Sequence, residues 1–214
     1  AGAVRYVGPA AEAVLAHFPE TLVHPGPPDK AGRVQAWVIG PGIGEEADAL
    51  EEVLAAEVPV LVDADGLRFL SPQRTRERTA ETLLTPHAGE AAALLGRGRE
   101  EVEAARLASV RELAAQYGAT VLLKGSTTLV AEADGPVRVN PTGTSWLATA
   151  GSGDVLSGVT GSLLAAGLPA RDAGSVGAYL HGLAARRAAG PAGAPILASE
   201  VAAHLDAAWR DVTD

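Results

Sequence analysis

The chain has 214 residues, 47% of them hydrophobic, with 17 Lys and Arg against 26 Asp and Glu and a formal net charge of −9. Such a chain is long and apolar enough for one globular core, and its acidic balance argues against a nucleic-acid partner, because phosphate binding draws on clustered Lys and Arg. The absence of Cys excludes disulfides, thiolate metal sites and a Cys nucleophile.

No charged start followed by an apolar run marks a leader, and no stretch has the ~20 apolar residues that span a bilayer, so a soluble, cytoplasmic protein is expected. There is no Met, even at position 1, which reads as part of a longer translation product.

Short apolar runs predict strands over 4–7, 35–39, 58–62, 82–84, 120–123, 128–131 and 137–139. Helical spacing marks 45–56 and 100–117, the second through Val102, Arg106, Val110, Leu113 and Tyr117. From Gly153 onward only helices are expected, over 154–166, 171–189 and 199–210, interrupted at Gly167-Leu168-Pro169 and by the Gly- and Pro-rich 190–195 stretch. This rhythm predicts one α/β domain over 1–214, with a mostly parallel sheet between two helical layers and a helical C-terminal third.

The familiar nucleotide motifs fail by position. Gly40-Pro41-Gly42-Ile43-Gly44-Glu45 follows a strand and opens a helix, but Glu45 stands where the dinucleotide fingerprint needs glycine, and Leu156 breaks a second candidate from Gly151. GxxxxGK[ST], GxSxG and HExxH are absent.

The chemistry-bearing stretch is 140–154, a loop ending in Gly151-Ser152-Gly153-Asp154 and leading into the apolar positions Val155, Leu156, Val159, Leu163 and Leu164. A glycine-rich loop running into a helix start presents free amides and the positive end of the helix dipole, which favours phosphate. Gly151 and Gly153 let the backbone approach such a ligand. Asp154 then either accepts a hydroxyl proton during phosphoryl transfer, helps position Mg²⁺, or simply caps the helix.

Lys124-Gly125-Ser126-Thr127-Thr128 ends a strand where open sheets bind ligands, and reads equally as a hairpin turn. In Thr85-Pro86-His87-Ala88-Gly89-Glu90, His87 and Glu90 either touch substrate or belong to a helix start capped by Thr85. Asp63 and Asp65 at a strand end are either water-mediated Mg²⁺ ligands or turn residues. His17, His24, His181 and His204 have no metal-like spacing; His181 lies on an apolar face and reads as core. Trp146 either covers a ring or closes the core.

Taken in order, VIGPGIG (38–44), VDADGL (62–67), LLTPHAGE (83–90), VLLKGSTTLVA (121–131) and NPTGTSWLATAGSGDVLSGV (140–159) resemble the NAD(P)H-hydrate dehydratase family, also called the YjeF C-terminal domain family, over residues 1 to about 190. The resemblance implies a ribokinase-like α/β/α sandwich with its nucleotide site at the carboxyl edge of the sheet. It implies repair of NADHX and NADPHX, hydrated NADH and NADPH, at the expense of ADP (ATP in eukaryotes), with Mg²⁺ as cofactor. It also implies that Lys124, Gly125, Ser126, Thr127, Thr128 and Gly153 contact the nucleotide, that Asp154 meets the hydrated nicotinamide as base, and that His87, Gly42 and Gly44 border the hydrate. Homo-oligomers, tetramers among them, and an epimerase domain or partner are further expectations. Relatives begin with a strand and a glycine-rich segment upstream of Ala1, which this sequence is expected to lack together with the following helix.

Two rivals share the same motifs. One is a ribokinase-like kinase of a small alcohol, of the hydroxyethylthiazole or hydroxymethylpyrimidine type. The other is a non-catalytic nucleotide-binding module.

Overall fold

The structure, a computed structural model, describes residues 2–213. A parallel pair, β1 (Arg5–Val7) and β2 (Leu22–His24), is joined by α1 (Ala11–His17), which buries no residue. Among the described residues this pair is not hydrogen-bonded to the main sheet.

The main sheet has six strands in chain order: β3 (Trp37–Ile39), β4 (Val60–Val62), β5 (Thr82–Leu84), β6 (Thr120–Leu123), β7 (Thr128–Ala131) and β8 (Arg138–Asn140). β3 to β6 are parallel, with Val60 opposite both Trp37 and Thr82 and Leu83 opposite Thr120. β7 and β8 continue antiparallel, with Leu122 opposite Val130 and Leu129 opposite Val139.

Parallel neighbours need crossovers. These are α2 (Ala47–Ala55) after β3, a 3₁₀ turn (Ala64–Phe69) and α3 (Pro72–Arg76) after β4, and α4 (Ala88–Leu95), α5 (Arg99–Ala104) and α6 (Arg106–Tyr117) after β5. The chain ends in α7 (Ser152–Ala165), α8 (Ala170–Ala189), α9 (Ala198–Ala203) and α10 (Leu205–Thr213). Among the described residues no helix is long and apolar enough to cross a membrane.

Side chains alternate across each strand, and that alternation makes the layers. Val60, Val62, Leu84, Val121, Leu123, Leu129 and Ala131 face one core with residues of α2, α4, α5 and α6. Leu61, Leu83, Leu122 and Val130 face the other, against Leu156, Leu163 and Leu164 of α7 and Ala173 and Ala178 of α8. A third cluster joins Ala184 and Ala185 of α8 to Val201 and Ala208. The expected three-layer α/β/α arrangement with a helical last third is therefore present.

Three readings need correction. The 100–117 helix is two helices, because Ala105 (φ −131°, ψ 42°) leaves the helical region while the apolar spacing runs on through buried Val102 and Val110. The 199–210 helix is likewise divided at His204, whose Nδ1 competes for the Glu200 carbonyl at 2.8 Å. β2 is absent from the expected strands because it is only three residues long and Leu22 remains exposed, so no buried alternation marks it.

α7 and α8 approach closely because glycines remove side chains between them. A Cβ on Gly177 would meet Thr160 Oγ1 and lie 3.2 Å from Thr160 Cβ, whereas one on Gly158 would meet nothing within 4 Å. Gly177→Ala is therefore expected to cost ~1–3 kcal/mol in urea unfolding by overpacking. Gly158→Ala, in the same helical layer, is expected to gain up to ~1 kcal/mol.

His181 on α8 is 6% exposed, which agrees with the core reading. Burial holds its imidazole down at about 4, partly opposed by a hydrogen bond to the Ser152 backbone. The unfolded chain then binds the extra proton between pH ~6.5 and about 4, so stability falls as pH drops through that window. His181→Asn is expected to flatten that part of the stability–pH curve, by an amount on the order of 3 kcal/mol.

Candidate functional site

The parallel strands β3 to β6 end on one edge, so the segments following them converge there. β3 leads into Gly40, Gly42 and Gly44; β4 into Asp63; β5 into Thr85 and His87; β6 into Lys124. Gly40 adopts φ +128° with its Cα against the Asp63 backbone, a space that a Cβ would occupy. Gly42 and Gly44 also have positive φ, and the Gly44 amide donates to Asp65 Oδ2 at 3.3 Å. Both glycines are exposed along this edge.

His87 is the N-cap of α4, the position that Thr85 was expected to take. Its Nδ1 accepts from the Gly89 and Glu90 amides at 3.0 and 3.1 Å, while Glu90 Oε2 accepts from the His87 amide at 2.7 Å. Pro86 ahead of it has no N–H, and Thr85 instead turns inward with its hydroxyl 3.4 Å from the Val62 carbonyl. The His87 ring stays exposed at the edge.

Residues 124–127 form the hairpin connection between β6 and β7, so the turn reading is correct, and the same turn carries a cation into the site. Lys124 Nζ donates to Asp63 Oδ1 at 2.6 Å and lies 3.7 Å from Glu90 Oε2. One Arg106 nitrogen holds the turn from outside by donating to the carbonyls of Leu123, Lys124 and Thr127 at 3.1–3.3 Å. In the sequence Arg106 is one position of a helix face. Nothing in its spacing marks this role, which appears only when α6 packs beside the turn. Gly125 and Ser126 are exposed and Thr128 is buried.

The loop after β8 crosses this turn. Asn140 Oδ1 accepts from the Thr142 amide and hydroxyl at 3.3 and 2.9 Å, and Arg186 of α8 donates to the Thr142 and Pro141 carbonyls at 2.6 and 3.0 Å. Gly143 passes so near Ser126 that a Cβ would lie 2.5 Å from its carbonyl oxygen. Trp146 follows half-exposed, its indole nitrogen beside Gly193.

The chain then turns at Gly151 (φ +82°) into α7. Ser152 Oγ donates back to the Leu147 carbonyl at 2.6 Å. Gly153 has no side chain where a Cβ would stand 3.6 Å from Lys124 Nζ and 3.9 Å from Asp63 Oδ2. The amides opening α7, the Lys124 ammonium and Asp154 thus share one small volume. Desolvation and the nearby Asp63 anion push the Asp154 carboxyl above the ordinary carboxylate range, against the opposing pull of Lys124. Its location fits a group that takes a proton.

Asp63 and Asp65, expected as water-mediated Mg²⁺ ligands or as turn residues, are both held by protein donors. Both Asp63 oxygens are engaged, Oδ2 accepting from Ser157 Oγ at 2.7 Å, and Asp65 is engaged by Gly44. Among the described residues no group of three His, Asp or Glu is placed to hold a metal ion.

In a Lys124→Met variant the Asp154 carboxyl is expected to titrate higher still, because its neighbouring cation is gone. Carbon-13 carboxyl NMR titration of the two proteins checks this, and an unchanged or lower value would contradict the geometry.

Comparison with known proteins agrees in extent and in architecture. The family model described as NAD(P)H-hydrate dehydratase matches residues 1–206. The bifunctional NAD(P)H-hydrate repair enzyme Nnr of Mycobacterium leprae is 49% identical over 212 residues, covering 95% of this chain and 44% of that protein. The chain thus spans less than half the length of that relative. The ADP-dependent (S)-NAD(P)H-hydrate dehydratase of Neisseria meningitidis is 44% identical over 203 residues, covering 89% of this chain and 68% of that one. Among solved structures, the ADP/ATP-dependent NAD(P)H-hydrate dehydratase of Bacillus subtilis co-crystallised with ATP and Mg²⁺ superposes with a TM-score of 0.86 at 27% identity, covering 98% of this chain and 79% of that one.

Proposed function

The chain belongs to the NAD(P)H-hydrate dehydratase family, and from that premise we propose that it is an ADP-dependent (S)-NAD(P)H-hydrate dehydratase. It would restore NADHX and NADPHX to NADH and NADPH, releasing AMP and phosphate. The Neisseria relative carries that activity in its name. The observation that carries the reading is the placement of Asp154 at the opening of α7, beside Gly153 and Lys124 and with its carboxyl pushed up.

In this reading the nucleotide lies along Lys124, Gly125, Ser126, Thr127 and Thr128, with its phosphates at the α7 amides near Gly151 and Gly153. The hydrated ring lies toward Gly42, Gly44 and His87, with its hydroxyl at Asp154. Asp154 takes the hydroxyl proton as the oxygen attacks the terminal phosphorus of ADP, and the bond to the AMP oxygen breaks. The ring-nitrogen lone pair then expels phosphate with its bonding electrons, and loss of a neighbouring C–H proton restores the dihydropyridine. Phosphorylation turns a poor leaving group into a good one. Lys124 and the helix amides hold the negative charge that builds during transfer.

Among the described residues no three carboxylates or imidazoles are grouped to hold a metal ion, so Mg²⁺, where it takes part, would be held by the nucleotide phosphates with Asp154 as the nearby carboxylate and would supply charge neutralisation there. The S-epimer as substrate calls for an epimerisation step upstream, in a fused or separate unit, and the bifunctional mycobacterial relative fits that arrangement. A cytoplasmic homo-oligomer belongs to the same reading.

Incubation with ADP and NADHX is expected to restore NADH absorbance, with AMP released in equal amount. Asp154→Asn is expected to keep ADP binding and lose roughly 10²–10⁴-fold in turnover. Phosphoryl transfer to a small thiazole or pyrimidine alcohol without NADH recovery would replace the dehydratase with an alcohol kinase. Binding without turnover in the parent would leave a nucleotide-binding module.

A further inference from the structure

Asp63 takes no part in the reaction as written, yet it is the only Asp or Glu fully buried among the described residues, at 1% exposure. An ionised carboxylate in that position is costly unless it is paired and fully hydrogen-bonded. Both conditions are met by groups of the site. Oδ1 accepts from Lys124 Nζ at 2.6 Å and Oδ2 from Ser157 Oγ at 2.7 Å.

Ser157 is itself 1% exposed and stands on α7 three residues after Asp154. The Asp63 backbone is fixed in turn: its amide donates to the Ile39 carbonyl at 3.0 Å, its carbonyl accepts from Gly66 at 3.1 Å, and Gly40 packs against it with no room for a Cβ. One carboxylate therefore links the end of β4, the hairpin turn and the first turns of α7.

We propose that Asp63 is a positioning residue for the reaction: a buried anion, fixed to the sheet edge, that pins the Lys124 ammonium with one oxygen and the start of α7 with the other, so that cation, amides and Asp154 keep one spacing. This rests on the dehydratase reading for its kinetic consequences. Ion pairing alone would need only one oxygen and no link to α7. The Ser157 bond adds that link, and Gly153, where a Cβ would stand 3.6 Å from Lys124 Nζ and 3.9 Å from Asp63 Oδ2, brings the helix start close to both.

The charges acting there are Asp63 after β4, Lys124 after β6, and Glu90 on α4, which lies 3.7 Å from Lys124 and 3.5 Å from the His87 ring. Asp63 raises the Asp154 carboxyl and Lys124 lowers it. Removing the Asp63 charge lets Asp154 ionise more easily, a change that a purely architectural carboxylate farther away would not produce.

The test is Asp63→Asn, isosteric and still able to bond Ser157. Its NADHX turnover with ADP is expected to fall roughly 10–100-fold with ADP affinity within about threefold, because the cation is present but no longer held. The acid limb of its pH–rate profile is expected to move to lower pH, and carboxyl NMR to show Asp154 titrating lower. Parental turnover and an unmoved acid limb would overturn the proposal. If the parent itself restores no NADH, the dehydratase reading fails, while a crystal structure of Asp63→Asn still decides the role of Asp63: Lys124 Nζ displaced from Gly153 supports it, and Lys124 Nζ in its parental place overturns it.

Should Asp63→Asn not fold, Ser157→Ala removes only the link to α7. A severalfold drop in turnover at parental ADP affinity then supports the proposal, and parental turnover contradicts it.

Discussion

A single ion pair at the carboxyl edge of the sheet, Lys124 with buried Asp63, is the contact on which the site depends. Lys124 alone would be a flexible cation at the tip of a hairpin, and α7 alone a helix start with free amides. The pair places the ammonium against Gly153, where its charge adds to the helix dipole. Asp154 feels both partners, and its carboxyl sits above its ordinary range because burial and the Asp63 anion outweigh the Lys124 cation.

The fold delivers these groups together through parallel strands and small residues. β4 and β6 run in the same direction, so Asp63 and Lys124 emerge on one edge although they are 61 positions apart in the chain. α7 reaches that edge because it packs tightly on the sheet beside α8, with Gly161 against Val38 of β3 and Gly177 of α8 against Thr160. The abundance of Gly and Ala in the composition is thus a packing requirement of the helical layer that carries Asp154. Strand and helix ends hold the charged groups, and the turn bearing Lys124 is braced by Arg106.

Much of this was legible in the residues themselves. The short apolar runs at 82–84, 120–123 and 128–131 fall where β5, β6 and β7 lie, because strands buried on both faces leave continuous apolar runs with sharp ends. The helix start at Gly151-Ser152-Gly153-Asp154 was visible because glycines before an apolar helix have few other uses. The turn reading of Lys124 holds, and it does not exclude a ligand at the same place, since the hairpin presents the cation at the sheet edge. Spacing could not show that Asp63 would pair with Lys124 and Ser157, because those contacts lie 61 and 94 positions apart. The division at Ala105 was equally hidden, since burial of Val102 and Val110 preserves the helical period across it.

In the proposed reading a nucleotide's phosphates lie between Lys124 and the amides opening α7, with Asp154 alongside. A crystal structure of the protein soaked with ADP tests it most directly. Phosphate density is expected within hydrogen-bonding distance of the Gly153 amide and Lys124 Nζ, with the nucleoside along residues 124–128. ADP bound elsewhere, with this helix start covered by other protein atoms, would contradict it.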